Sequence, residues 1–205
     1  MVREQMEARD IRDPRVLAAM RAVPRHLFVP VDERPFSYTD RPLAIGEGQT
    51  ISQPYIVALM TQLLHLQGGE KVLEVGTGSG YQAAVLEAMG TRVFSIEIIC
   101  PLAERAGKTL EAAGYENVMV RCGDGYRGWP EQAPFDAVIV TAAPDHIPQP
   151  LVDQLKDEGL MVIPVGDIHQ ELVLLRKRGG KVTEQDIIPV RFVPMTGEAE
   201  KAPGH

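Results

Sequence analysis

The sequence predicts an α/β fold, a doubly wound and mostly parallel sheet of about seven strands with an antiparallel C-terminal edge. Three observations carry that expectation. Between residues 71 and 165, apolar runs of strand length alternate with helical stretches, and βαβα order implies parallel strands covered by helices on both faces. The first of those runs passes through three alternate glycines, Gly76, Gly78 and Gly80, into a helix. The last two strand-like runs meet at Arg178-Gly179-Gly180-Lys181 with no helix between them, which marks a hairpin. At 205 residues and ~150 residues per domain, the chain reads as one domain, 1–205. Helices and a loop occupy 1–69, a ligand-binding core 70–166, and antiparallel strands with a tail 167–205.

Along the chain, Asp13 followed by Pro14 signals a helix start, and Val16, Leu17, Met20 and Val23 continue at helical spacing up to Pro24. From residue 28 to 48 the text is crowded with Pro, Gly, Asp and Arg, so a surface loop is expected. Pro54 opens a second helix running to Leu66, closed by Gly68-Gly69. Strands are expected at 71–75, 92–97, 117–122, 135–141 and 160–165, with helices at 81–89, 101–113 and about 150–156 between them. The runs 171–176 and 187–193 complete the sheet.

Composition removes several functions. Twenty-one basic against 28 acidic residues leave a net charge of -7, so the attraction to phosphate that nucleic-acid binders rely on is missing and no nucleic-acid partner is expected. The opening MVREQMEARD carries five charges with no apolar run behind them, and neither a signal peptide nor a membrane span is expected. Cys100 and Cys122 lie behind separate strand-like runs without CxxC spacing. A reducing, cytoplasmic setting is the simpler expectation. His26, His65, His146, His169 and His205 show no ligand spacing, so no metal is expected.

The glycine turn is the most informative stretch. Glycines there permit positive φ and let a ligand lie against bare main chain at the carboxyl end of a strand, where open α/β sheets bind ligands. A tight turn without a ligand explains the glycines alone equally well. Glu97 shifts the balance: it ends the next strand 21 positions after Gly76, the place from which a carboxylate reaches the two ribose hydroxyls of a nucleoside. Glu74, just before the glycines, suits a ligand ammonium or loop backbone better than a pyrophosphate. Asp124 follows the third strand, where it accepts from an adenine amino group or merely caps an Asp-Gly turn. The register Gly78, Gly80, Ala83 keeps a dinucleotide-binding oxidoreductase open as a rival.

VLEVGTGSGY, VFSIE, GDG and FDAVIVTAAP, in this order, resemble the successive signature blocks of class I S-adenosylmethionine-dependent methyltransferases. GEGQTISQPYIVALM, with AMRAVPRHLFVP before it and RFVPMTG after it, is similar to the protein-L-isoaspartate O-methyltransferase family in particular. The resemblance covers nearly the whole chain, and implies a Rossmann-like methyltransferase fold and the S-adenosylmethionine cofactor. It also implies methyl transfer to the free α-carboxylate of L-isoaspartyl residues in damaged proteins and peptides, by a monomer. Carried over by motif, Gln49, Thr50, Ile51, Ser52, Glu74, Gly76, Gly78, Gly80, Glu97, Ile98, Asp124, Gly125 and Thr196 are its donor-binding residues. Ser52 is placed at the acceptor carboxylate as the catalytic residue.

The residues are consistent with that chemistry. A carboxylate of pKa ~4 is already ionised at neutral pH, so its attack on a sulfonium methyl needs no general base, and the lack of an obvious acid–base pair is expected. Ser52 is outside any Gly-x-Ser-x-Gly elbow, which argues against an acyl-enzyme. It could equally well cap the helix that Pro54 opens. Another acceptor remains open within the superfamily, although Thr141-Ala142-Ala143-Pro144 lacks the polar-Pro-Pro-aromatic block of DNA amino-methyltransferases. A binding module without turnover is the third alternative.

Overall fold

The computed structural model describes residues 1–201. Helix α1 (Pro14–Ala22) begins where the Asp13 carboxylate accepts from the Arg15 amide, leaving Pro14 in the first turn, where its missing N–H costs nothing. The stretch expected as loop holds regular structure. A 3-10 turn covers Val31–Phe36, and β1 (Leu43–Gly46) and β2 (Gln49–Ile51) form an antiparallel hairpin. Leu43 and Ile45 are buried while Ala44 and Gly46 are exposed, a period-two pattern over four residues that is too short to stand out among prolines and glycines. Gly46, Glu47 and Gly48 at its tip take φ of 86°, 54° and 69°, which glycine tolerates and which a tight turn between right-twisted strands requires.

Helix α2 (Pro54–Leu63) stops three residues before the expected Leu66, because His65 turns left-handed at φ 50°. The alternating core follows as β3 (Lys71–Val75), α3 (Tyr81–Ala88), β4 (Arg92–Glu97), α4 (Cys100–Ala112), β5 (Val118–Cys122), β6 (Phe135–Val140), α5 (Gln149–Gln154) and β7 (Leu155–Val165). Strand β7 starts five residues earlier than 160, through the polar Lys156-Asp157-Glu158-Gly159. β8 (Gln170–Arg178) and β9 (Lys181–Val190) pair as the expected hairpin.

The seven strands are ordered β5-β4-β3-β6-β7-β8-β9, parallel from β5 to β7 and antiparallel across β7-β8 and β8-β9. One buried apolar cluster joins α1, α2 and α3 to one face, and a second joins α5, Trp129 and Met195 to the other. The chain leaves β3 in one direction through β4 and β5, then returns to β3's opposite side as β6. The crevice above the carboxyl ends of β3 and β6 is therefore the switch point at which such sheets bind ligands. No helix among the described residues is long and apolar enough to cross a membrane.

Cys100 and Cys122 form a disulfide, with Cα atoms 5.0 Å apart, which corrects the expectation of two unpaired thiols and removes its basis for a reducing compartment. The cause is register. Glu97 at the end of β4 lies opposite Cys122 at the end of β5, and Cys100 opens the helix that follows β4. Residues 22 apart in sequence thus meet at one end of neighbouring strands.

Candidate active site

Glycine conformation shapes the crevice. Gly76, Gly78 and Gly80 all have positive φ (95°, 52° and 87°), so the chain leaving β3 folds back on itself and presents main chain upward. The Gly78 amide donates to Glu97 Oε2 at 2.8 Å and the Ile99 amide to Oε1 at 3.0 Å. One carboxylate thus ties the glycine turn to the end of β4. Each oxygen has a second lone pair, and Glu97, though only 5% exposed, lines the cleft. Thr141, just past β6, donates to the Gly76 carbonyl at 2.7 Å and spans the switch point from the other side.

Two segments roof this cleft. Gln49 and Thr50 approach from the hairpin, where Arg105 of α4 donates to the Ile45 carbonyl. Val193 to Thr196 approach from the tail, pinned by Ala143 N–H to Val193 O and Met195 N–H to Ala143 O, both 2.8 Å. Beside the cleft runs a second groove of about 760 Å³, walled by Ser52, Gln53 and Ile56 on one side and by residues 189–194 on the other. Thr50, Thr141, Val193 and Pro194 line both. The two spaces meet at these residues.

Of the residues expected to bind the donor, Gln49, Thr50, Gly76, Gly78, Glu97, Ile98, Gly125 and Thr196 line the cleft. Ser52 lies in the adjoining groove. Ile51, though buried, lines with Ser52 a small cavity against Gly76 and Gly78. The remaining three are placed differently. Gly80 starts α3, where an added Cβ would press Leu110 Cδ1 at 3.1 Å. Both oxygens of Asp124 are engaged, one by the Tyr126 amide at 3.0 Å and the other by the Glu198 amide at 2.8 Å. Asp124 thus docks the tail, reinforced by the Arg127–Glu198 ion pair, gives residues 197–201 a seat that their composition did not announce, and keeps a second lone pair on each oxygen, as Glu97 does. Glu74 lies under the turn, fully buried.

The comparisons decide between the methyltransferase and oxidoreductase readings of this cleft. Residues 1–200 match the family model described as protein-L-isoaspartate(D-aspartate) O-methyltransferase. The chain belongs to that family. The Shewanella sediminis protein-L-isoaspartate O-methyltransferase 2 is 59% identical over all of this chain and 84% of its own length. The Opitutus terrae enzyme is 58% identical over 97% of this chain and 86% of its own. A solved protein-L-isoaspartate O-methyltransferase superposes with a TM-score of 0.87, at 30% identity over 97% of this chain and 67% of the other. A Plasmodium falciparum β-aspartate methyltransferase solved with S-adenosyl-L-homocysteine superposes with a TM-score of 0.82, at 26% identity over 95% and 96% of the two chains.

The residues present fit the donor used by this methyltransferase family. An open main-chain turn faces a buried carboxylate that still has accepting capacity, and the turn leaves no room to spare: a Cβ on Gly76 would stand 2.4 Å from Thr141 Oγ1. Gly76→Ala, strained also by its left-handed φ at about 1–2 kcal/mol, is expected to weaken S-adenosylhomocysteine binding about tenfold or more. Calorimetry checks this, and native affinity would contradict it. Thr141 itself escaped the sequence reading. Its signal was a polar side chain directly after the apolar run 135–140, at the ligand-binding end of a central strand.

Of the two tasks expected for Glu74, the structure shows a tie to the loop, made through Ser95. Glu74 accepts from the Ser95 hydroxyl, which shares a hydrogen bond with Thr77 of the turn, while its Oε1 is buried without a partner. Burial pushes its carboxyl up to about 8, against the Ser95 hydrogen bond and with help from the nearby Glu97 charge. Because the folded chain holds this proton and the unfolded chain releases it near ~4.3, Glu74 makes the fold lose stability as pH rises from there to about 8. Glu74→Gln is therefore expected to gain on the native protein as pH rises, with melting temperatures closer at pH 5 than at pH 8. Parallel melting curves at both pH values would contradict this.

Proposed function

We propose that this chain transfers a methyl group from S-adenosylmethionine to the free α-carboxylate of L-isoaspartyl residues in damaged proteins and peptides, the ester then closing to a succinimide whose hydrolysis restores some normal aspartyl linkage. One observation carries the reading: the glycine–Glu97 cleft and the Ser52 groove share Thr50, Thr141, Val193 and Pro194 as common walls, so a donor in one and a carboxylate in the other are brought end to end.

Bound in the cleft, S-adenosylmethionine supplies a methyl carbon on positively charged sulfur. Glu97 accepts from the ribose hydroxyls, and the Gly76–Gly78 main chain lies along the donor's amino-acid portion. Gln49, Thr50, Ile98, Gly125 and Thr196 close around the rest. Ile51 borders the glycine turn beside Ser52, Asp124 keeps accepting capacity next to Gly125, and Glu74 and Gly80 support the turn from beneath. In the groove the Ser52 hydroxyl donates to one acceptor oxygen and turns the other toward the methyl. That oxygen forms the new C–O bond as the C–S bond breaks and its electron pair returns to sulfur, so no residue has to move a proton. Alignment and exclusion of water are the chain's contributions. The groove of about 760 Å³ beside residues 189–194 has room for the acceptor residue of a polypeptide. The absence of a nucleic-acid partner is part of the proposal, supported by the charge of -7, and so is a monomer, which rests on the family resemblance. The cytoplasmic setting is kept on family kinship and not on cysteine spacing.

Incubation of a deamidated polypeptide with labelled donor tests the reading. Base-labile label should rise with the isoaspartyl content of the polypeptide, and calorimetry should show S-adenosylhomocysteine binding with no comparable binding of NADH. Tight NADH binding without the thioether, or label independent of isoaspartyl content, would contradict it.

A further inference from the structure

The first amides of an α-helix need an acceptor, most often a Ser, Thr, Asp or Asn side chain at the helix start. At α2 the residue in that position is Gln53, whose side chain makes no such bond. Ser52, one residue earlier, is the hydroxyl nearest in sequence, and a Ser52 turned inward to the helix would be lost to the groove. The structure solves this from a distance. Asp40, in the segment leading into β1, sends Oδ1 to the Tyr55 amide at 3.2 Å, while its Oδ2 accepts from Gln53 Nε2 at 2.8 Å and from Arg9 Nη1 at 3.2 Å. The Arg9 guanidinium lies 3.3 Å from the centre of the Tyr55 ring, and the Tyr55 hydroxyl donates to Asp10 at 2.8 Å. Asp40 thereby joins the chain entering the hairpin to the chain leaving it, immediately beyond Ser52, with its charge balanced by Arg9.

We infer that Asp40 is a positioning residue for methyl transfer: it caps α2 in place of Ser52 and closes the foot of the β1–β2 hairpin, so that the Ser52 hydroxyl stays free and aimed into the acceptor groove. The inference rests on the proposed role of Ser52. It implies that Asp40 works through Ser52 and not through the donor cleft, which none of its contacts touches. It also implies that both carboxylate oxygens matter, since Oδ1 holds the Tyr55 amide while Oδ2 holds Gln53.

A double-mutant cycle on full-length protein tests this with an isoaspartyl peptide as acceptor. Asp40→Ala and Ser52→Ala should each lower kcat by about tenfold or more, and the double variant should fall no more than about threefold below Ser52→Ala, since coupled residues are not additive. Asp40→Asn keeps an oxygen for the Tyr55 amide but turns an NH2 toward the Gln53 and Arg9 donors, so its kcat should fall between those of Asp40→Ala and the native protein, and S-adenosylhomocysteine affinity should stay within about twofold in every variant. Hydrogen exchange at the Tyr55 amide should quicken in Asp40→Ala and not in Ser52→Ala. If Asp40→Ala does not fold, the cycle is run with Asp40→Ser, whose short hydroxyl cannot serve both Gln53 and Tyr55. Losses that multiply in the double variant, a native kcat for the Asp40 variant, or a matching loss of donor affinity overturn the inference while leaving the Ser52 reading intact. Full turnover by Ser52→Ala overturns both.

Discussion

Glu97→Ala weakens S-adenosylhomocysteine binding by about 2 to 4 kcal/mol, roughly 30- to 1000-fold in Kd, as expected for two lost charge-assisted hydrogen bonds to the ribose. The structure points to the upper part of that range. The same carboxylate accepts from the Gly78 and Ile99 amides, so its removal frees two main-chain donors and loosens the turn that faces the donor. Replacement by Gln separates the two contributions: it keeps one accepting oxygen and should recover part of the affinity. Discrimination between acceptor peptides should not change, because Glu97 is absent from the groove. Titration calorimetry is the direct check, and native affinity in Glu97→Ala would reduce this acid to a loop fastener.

Ser52→Ala lowers turnover on an isoaspartyl peptide by about 10- to 1000-fold, the range for one orienting donor lost at a reacting oxygen. The alternative, that Ser52 only caps α2, predicts a loss of stability with turnover largely kept. The structure separates the two, because the Tyr55 amide is bound by Asp40 and the helix begins one residue later than a Ser52 cap requires. Steady-state kinetics should therefore show the loss in kcat with the melting temperature nearly unchanged. A shifted melting temperature with native kcat would return Ser52 to the structural role.

The parallel core was legible because its central strands β3, β4 and β6 are buried on both faces and read as nearly continuous apolar runs, bounded by helices with clear starts such as Pro101 and by turns such as Gly68-Gly69. The glycine turn and Glu97 were legible together, since a carboxylate at the end of the neighbouring strand has a fixed reach across the crevice. Other features depend on contacts that span the sequence. The disulfide follows from the register of β4 against β5, and the Asp40 cap from a side chain crossing the foot of a hairpin. The hairpin was itself hidden, since its strands are four and three residues long. The depth of Glu74 was half legible: with a period of two it shares a face with Val72, but a sheet covered on both sides gives such a residue no outward face to mark it. His205 lies outside the described residues.

The central claim, that the acceptor is the isoaspartyl α-carboxylate, is tested most directly with two synthetic peptides identical except for one linkage, isoaspartyl in one and normal aspartyl in the other. Both are offered with radiolabelled S-adenosylmethionine, and base-labile label is counted. The isoaspartyl linkage moves the free carboxylate by one methylene relative to the main chain, and a Ser52 fixed between the hairpin and α2 should discriminate strongly between the two positions. The account predicts label in the isoaspartyl peptide and close to none in its twin. Equal labelling of both, or of neither, would contradict the acceptor assignment.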